Sequence, residues 1–190
     1  MLLPLKAHPT NKNRAIRLQA TLHIQAGAVH VDYYLSGDLS TLHVPPPCIP
    51  RFRDGLWQDT CFELFVGPLG TRTYREFNIS PSGAWAIYDF SDWRQAAPPT
   101  INWAKRADCA PQLQLNNTAS GLQVSVRISS VALQGIAYKS LQCGVSAVLA
   151  QNNAERTRSF WALAHYEVQP DFHDRRGFVA YLEGELGKAT

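Results

Sequence analysis

Two glutamates on consecutive strand-like segments are the first residues of this chain whose types and spacing suggest chemistry. In the segment LWQDTCFELFVG, alternation places Trp57 and Glu63 on one face, opposite the apolar side chains. In the segment TYREFNIS, Glu76 and Asn78 alternate in the same way with Phe77. If the two segments pair as neighbours, both carboxylates lie on one sheet face, beside an aromatic ring and an amide.

Several kinds of chemistry suit such a face. Two carboxylates can act as the acid and base of a glycoside hydrolase, in which case Glu63 and Glu76 would be the catalytic pair. Carboxylate and amide groups beside aromatic rings can also bind a sugar without catalysis, because rings pack against its C–H faces and oxygen atoms accept from its hydroxyl groups. The remaining interpretations are a solvated outer face on which Arg72 or Arg94 pairs with the acids, and a surface that binds another protein chain.

A second concentration of polar side chains occurs in the segment SFWALAHYEVQPDFHDRRGF. His165 and His173 are eight residues apart, and Asp171 and Asp174 flank the second histidine. This spacing matches no standard motif, so we predict no transition-metal site, and only a calcium site is left open. Either the acids pair with the neighbouring arginines, or the loop folds over the end of the sheet and presents His165, Asp171 and His173 to a ligand.

The tryptophans differ in how well they suit a ligand site. Trp57 precedes a strand on its polar face, which favours contact with a ligand. Trp161 shares its face with both apolar and polar residues, so alternation does not decide its direction. Trp85, Trp93 and Trp103 are each compatible with a sandwich core, where single tryptophans are most often found.

The elements that must position these groups are β-strands. Alternation of period two runs through most of the chain, as in AIRLQATLHIQ, and Gly and Pro separate the segments. We predict about ten or eleven short strands, including INWAKRA, with SSVALQGIA as the only candidate helix. This pattern predicts an all-β fold, an antiparallel β-sandwich of jelly-roll type. Since no linker or internal repeat divides the chain, we expect a single domain over residues 1–190.

The composition argues against several classes of function. The 190 residues carry a net charge of +3, with 17% charged residues and no long Lys or Arg run, so we expect no nucleic-acid partner. No apolar stretch is long enough for a transmembrane helix, and the first residues lack the features of a signal peptide. We therefore expect no membrane partner and a cytoplasmic protein with four reduced cysteines, none in a CxxC pair that would bind zinc. The oligomeric state is left open.

Three blocks of the sequence carry a family resemblance. The blocks DGLWQDTCFELFVG, YREFNISPSGAWAIYDFSDWR, and FWALAH followed by PDFHDRRGF together resemble a bacterial type of DOMON-like protein related to family 9 carbohydrate-binding modules. The resemblance implies a DOMON-like β-sandwich with jelly-roll-like topology. It also implies a ligand site on one sheet face or at its rim, for a sugar or a haem group.

The resemblance also implies roles for individual residues. Family 9 modules hold a terminal sugar between two tryptophans, which implies Trp57 or Trp85 on one side of the ligand and Trp161 on the other. Acidic and amide groups around the sugar would provide its hydrogen bonds. The full set of residues predicted to bind the ligand is Trp57, Glu63, Glu76, Asn78, Trp85, Arg94, Trp161, His165, Asp171 and His173.

A count of candidate ligands argues against haem. Cytochrome-like DOMON domains bind the iron through a Met together with a His or Lys, and the only methionine here is Met1. A bis-His site through His165 and His173 has no support in the sequence. We therefore predict a protein without a cofactor that is not an enzyme and that binds a small polar ligand, with a carbohydrate as the leading candidate. The alternatives are a glycoside hydrolase that uses Glu63 and Glu76 and a protein-interaction module.

Overall fold

The protein is built from short β-strands. A computed structural model describes residues 2–11, 15–136 and 140–183. These ranges contain twelve strands and five 3-10 turns, and no helix within them is long and apolar enough to cross a membrane. The strands are β1 (Leu2–Ala7), β2 (Ile16–Gln25), β3 (Ala28–Gly37), β4 (Cys61–Pro68), β5 (Tyr74–Ile79), β6 (Trp85–Asp92), β7 (Gln95–Ala96), β8 (Gln112–Thr118), β9 (Gly121–Ile128), β10 (Ser140–Ala150), β11 (Arg158–Ala162) and β12 (Ala180–Glu183).

The strands form two layers. The back sheet has the order β1-β2-β3-β9-β8, and the front sheet has the order β7-β6-β5-β4-β10-β11, with β12 also paired to β10. Strand β1 joins the layers, because residues 2–5 pair with β2 whereas Lys6 and Ala7 pair with β11. All pairings between these strands are antiparallel. The predicted all-β antiparallel sandwich is therefore confirmed.

Some individual elements differ from the prediction. The segment INWAKRA is not a strand, because Trp103 turns inward within the 3-10 turn Trp103–Lys105. Its indole nitrogen donates to Asp89 at 2.8 Å and its ring packs under the guanidinium of Arg75. Within residues 129–136, the described part of the candidate helix, the structure has only the 3-10 turn Ser130–Leu133. Conversely, β1 and the two-residue β7 were not among the predicted strands.

The core lies between the two sheets and follows from the alternation. On β4 and β5, Phe62, Leu64 and Phe77 point inward and are completely buried. Tyr33 of the back sheet reaches across the core, where its hydroxyl donates to the backbone oxygen of Glu63 at 2.8 Å. This hydrogen bond satisfies the buried hydroxyl and fixes β4 against the back sheet. The side chain of Glu63 consequently points to the opposite, outer face.

A long loop covers part of the outer face of the front sheet. Strands β11 and β12 pair with successive parts of the same edge of β10, and residues 163–179 leave the sheet between them. We call this segment the 163–179 loop. It packs so closely that a Cβ atom at Gly144 of β10 would lie 2.8 Å from the ring of Phe178. The absence of a side chain at Gly144 thus lets the loop lie directly on the sheet.

Candidate functional site

Glu63 and Glu76 lie together on the outer face of the front sheet. The register pairs Glu63 of β4 with Asn78 of β5, and Phe65 with Glu76, so the carboxylates are diagonal neighbours on one face. They are only 2% and 6% exposed, although this face points away from the core. Both contribute to the floor of a cavity of about 570 Å³ between the sheet and the 163–179 loop, a size suited to a small ligand.

Each carboxylate accepts a hydrogen bond from a neutral side chain. The hydroxyl of Ser146, on β10, donates to Oε2 of Glu63 at 3.1 Å. The amide nitrogen of Asn78 donates to Oε1 of Glu76 at 2.7 Å. The Asn78 amide is held in turn by the thiol of Cys61, which donates to its oxygen at 3.4 Å. The floor is therefore a fixed network of acceptors rather than a set of mobile surface acids.

Burial raises the pKa of both glutamates. The pKa of Glu63 is well above its usual range because the group is desolvated and because the charge of Glu76 lies nearby. Burial also raises the pKa of Glu76 to about 7, against the opposing effects of the Asn78 hydrogen bond and the positive charge of Arg94. Burial therefore favours the protonated form of Glu63, and Glu76 titrates near neutral pH.

His173 brings the 163–179 loop down to this floor. Its ring packs edge-on against Tyr74 and Phe90, and Nδ1 is 2.9 Å from the Tyr74 hydroxyl. Its Nε2 lies 3.9 Å from Oε2 of Glu76. Burial, reinforced by the charge of Arg94, lowers the pKa of His173 to about 4. The imidazole is therefore neutral at pH 7, and its approach to Glu76 is not an ion pair.

Aromatic rings form the walls of the cavity. Trp57 lies at the mouth on the 3-10 turn Leu56–Gln58 and is 47% exposed. The guanidinium of Arg158 lies 5.8 Å from the ring centroids of both Trp57 and Phe160, at the rim. The aromatic residues that line the cavity are Trp57, Phe65, Tyr88, Phe90, Phe160 and Phe172.

Asp171 fastens the 163–179 loop to the β6–β7 turn. Its Oδ1 accepts from the guanidinium of Arg94 at 2.9 Å and from the backbone nitrogen of His173 at 3.0 Å. Its Oδ2 accepts from the indole of Trp93 at 2.9 Å. Asp171 does not line the main cavity but an adjoining open cleft. Its role is to fix the positions of Arg94 and His173.

Most of the residues predicted for the site come together. Asn78 lies beside Glu76 beneath the cavity, and Asp171, within the 163–179 loop, pairs with Arg94. The predicted residues that line the cavity itself are Trp57, Glu63, Glu76, Arg94 and His173.

Trp85 and Trp161 point the other way, which corrects the expectation that one or both would contact the ligand. They belong to the core between the sheets and are 3% and 4% exposed. On β11, Trp161 alternates with Phe160, and Phe160 is the residue that reaches the cavity. The Trp161 indole donates to the hydroxyl of Ser159 at 3.0 Å, so its polar atom is satisfied inside the core.

His165 also lies outside the cavity, which is a further correction. It follows the point where the chain leaves β11, and its Nε2 donates to the backbone oxygen of Lys6 at 2.9 Å, beside β1. Its ring packs edge-on against His8, with the centroids 4.8 Å apart. His165 and His173 therefore do not share a site. In the described part of the chain, no three His, Cys, Asp or Glu side chains come together as metal ligands would.

Sequence reasoning missed most of the aromatic wall. Tyr88 and Phe90 on β6, and Phe160 on β11, alternate with a tryptophan that faces the core. The prediction chose the tryptophan of each strand as the ligand residue, and both tryptophans face the core. Alternation along the same strands places the other aromatic residues on the opposite face, so they could have been predicted. Phe172 lies in the irregular 163–179 loop, where no periodic signal indicates the direction of a side chain.

The fold is similar to those of solved carbohydrate-binding structures. A candidate carbohydrate-binding protein from Bacteroides uniformis ATCC 8492 matches with a TM-score of 0.64 and 14% identity, over 96% of this chain and 85% of that one. A family 9 carbohydrate-binding module from Caldicellulosiruptor kristjanssonii, solved in complex with glucose, matches with a TM-score of 0.53 and 8% identity, over 98% and 87%. No family model matches the sequence, and no curated protein matches it either. At these identities the similarity is one of fold.

Proposed function

We propose that the protein binds a carbohydrate, without catalysis, in the cavity between the front sheet and the 163–179 loop. The observation that carries this proposal is the pair of buried, hydrogen-bonded glutamates at the floor of an aromatic-walled cavity. Sugars present both apolar C–H faces and hydroxyl groups, and this combination of rings and fixed polar groups matches both. The fold similarity to a module solved with glucose supports the same function.

The two glutamates would play different parts in holding a sugar. Burial favours the protonated form of Glu63, which can donate to one hydroxyl oxygen, whereas Glu76 in its ionised form accepts from another hydroxyl. Trp57, exposed at the mouth, offers a ring face to the apolar side of the sugar. Because Asn78 and Ser146 hold the carboxylates in place, the ligand need not order them on binding.

Isothermal titration calorimetry with glucose and a panel of mono- and disaccharides tests this proposal. We expect binding to at least one sugar, and a loss of about tenfold in affinity in Trp57→Ala. Tyr181→Ala is the matched control, because Tyr181 is exposed on β12, at the far end of β10 from the cavity. If no sugar binds, or if both variants bind as the unaltered protein does, this site does not bind carbohydrate.

Hydrolysis of a glycosidic bond is a second candidate function. It is favoured by one observation, that Glu63 and Glu76 are diagonal neighbours on one sheet face where burial raises the pKa of both, as in an acid and base pair. In this case the protein would release 4-nitrophenol from aryl glycosides, and both Glu63→Gln and Glu76→Gln would abolish turnover. Glu183→Gln, at the exposed end of β12, would remain active. An absence of turnover across a panel of aryl glycosides leaves binding as the function.

A further inference from the structure

The floor of the cavity carries acidic side chains that have no Lys or Arg partner among the described residues. The two carboxylates are those of Glu63 and Glu76, and neither forms an ion pair with a Lys or Arg in the described part of the chain. Their side-chain hydrogen bonds come from a hydroxyl and an amide, which are both uncharged. A buried acid without a cationic partner is costly to ionise, and that cost is reduced when a cation arrives.

The positively charged side chains near the cavity interact with groups other than Glu63 and Glu76. The guanidinium of Arg94 pairs with Asp171 at 2.9 Å, and that of Arg158 lies over the aromatic rings at the rim. His173, at 3.9 Å from Glu76, is neutral at pH 7. The floor therefore lacks a resident cation, although it holds the most deeply buried acids of the cavity.

The walls are also suited to a cation. Aromatic faces attract positive groups through the negative potential above the ring, and the attraction grows when water is excluded. The rings of Trp57 and Phe160 already contact the guanidinium of Arg158 at the rim. Deeper in the cavity, Phe65, Tyr88 and Phe90 lie beside the acidic floor. Rings around a carboxylate form the setting in which proteins recognise ammonium groups.

We infer that the ligand of this cavity is an amino sugar whose ammonium group binds between Glu63 and Glu76. This inference rests on the proposed function and specifies its ligand. The sugar ring would pack against the aromatic walls, and its hydroxyl groups would reach the polar rim formed by Asp54, Arg94 and Arg158. A neutral sugar can satisfy the hydrogen bonds of the floor, but it brings no positive charge to offset the cost of ionising the two acids.

Calorimetry with three probes at pH 7 tests this inference: glucose, glucosamine and 6-amino-6-deoxyglucose. The two amines place the ammonium group at different positions on the ring, since the structure does not specify which one reaches the floor. We expect at least one amino sugar to bind about tenfold more tightly than glucose, the gain typical of a hydrogen-bonded charge pair. In Glu76→Gln this preference should disappear, and the affinity for the amino sugar should fall by more than the affinity for glucose.

Proton release provides a second readout that a purely structural role of Glu76 would not produce. An ammonium group beside Glu76 lowers its pKa from about 7, so binding at pH 6 releases about one proton. Titrations in buffers of different ionisation enthalpy measure this proton, and Glu76→Gln should release fewer protons than the unaltered protein. The titratable or charged groups around Glu76 are Cys61, Glu63, Tyr74, Tyr88, Arg94 and His173.

The controls separate this inference from the proposed function. Glu183→Gln should keep the preference, because its position on β12 pairs with Ser140, eight residues along β10 from Val148 in the cavity. If Glu76→Gln does not fold, Glu63→Gln provides the same test. Equal binding of glucose and both amines would overturn the amino-sugar inference and leave carbohydrate binding standing. No binding of any sugar would overturn both, and equally tight binding of ethylammonium would show that the sugar ring is not recognised.

Discussion

The two faces of strands β4 and β5 are buried to almost the same degree, but against different surroundings. On the inner face, Phe62, Leu64 and Phe77 are completely covered by the packed core. On the outer face, Glu63 and Glu76 are 2% and 6% exposed beside a cavity and beneath the 163–179 loop. One face buries apolar groups that stabilise the fold, whereas the other buries acids whose pKa values rise as a result.

The difference shows that low exposure alone does not identify a structural residue. A polar group on the outer face of a sheet is normally solvated. Here a loop and aromatic walls remove it from bulk water and hold it at the floor of a cavity. Such burial of a polar group costs free energy, which is typical of sites selected for binding rather than for stability. Substitutions on the inner face should therefore lower the free energy of unfolding, whereas substitutions of the acids on the outer face should not.

The largest expected effect separates the two faces directly. Phe77→Ala leaves a void in the core and should reduce the free energy of unfolding by about 3–5 kcal/mol. Glu76→Gln, one position earlier on the same strand, removes a desolvated acid and keeps its hydrogen bond from Asn78, so it should not destabilise the protein at pH 7. Urea denaturation measures both values. Equal losses of stability would show that the outer face is simply part of the core.

The dependence of stability on pH should differ between two residues of the outer face. The pKa of Glu76 is about 7 in the folded protein and ordinarily 4.5, so its contribution is complete below pH 4.5 and is lost as pH rises through 7. The pKa of His173 is about 4 and ordinarily 6.5, so its contribution is complete above pH 6.5 and is lost as pH falls through 4. Each contribution amounts to about 3 kcal/mol, and the two oppose each other.

Single variants should separate these opposing contributions. Relative to the unaltered protein, Glu76→Gln should lose stability as pH falls from 7 to 4.5, because only the His173 penalty remains. His173→Gln should gain relative stability as pH falls over the range from 6.5 to 4. Denaturation curves at half-unit intervals of pH measure both differences. Parallel stability curves for the two variants would contradict the burial assigned to these groups.

The close packing of the 163–179 loop on the outer face predicts an intermediate effect. In Gly144→Ala, the new methyl group would collide with the ring of Phe178, which should cost about 1–3 kcal/mol. The shift of the loop should also weaken ligand binding, since His173 and Phe172 move with it. Phe178→Leu in the same chain should recover part of the loss. A double-mutant cycle measures the coupling, and strict additivity would show that the loop does not rest on Gly144.

The smallest effect concerns the attachment of the loop. Asp171→Asn removes the ion pair with Arg94, whose side chain is half exposed, so we expect ligand affinity to fall only about two- to fivefold. Asp92→Asn is the matched control, because Asp92, at the end of β6, pairs with exposed Arg72 between β4 and β5 rather than with the 163–179 loop. Calorimetry with the sugar that binds best compares them. Identical affinities would show that Asp171 does not position the site.

The fold and the acidic floor were predictable from the sequence, whereas the walls were not. Alternation along β4 and β5 determines that Glu63 and Glu76 share the outer face, and neighbouring strands commonly pair. Alternation does not say which face of β11 is the inner one, because Trp161 and Phe160 are both apolar. The path of the 163–179 loop depends on contacts such as Phe178 on Gly144, which are distant in sequence. Contacts of that kind leave no periodic signal.

The indole signals of the tryptophans report whether a sugar binds in the cavity above Glu63 and Glu76. In a ¹⁵N NMR titration with glucose and glucosamine, we expect the indole resonance of Trp57, at the mouth, to move with sugar concentration. The resonances of Trp85 and Trp161, which face the core, should stay in place. A stationary Trp57 signal, or movement confined to the core tryptophans, would show that no sugar binds in this cavity.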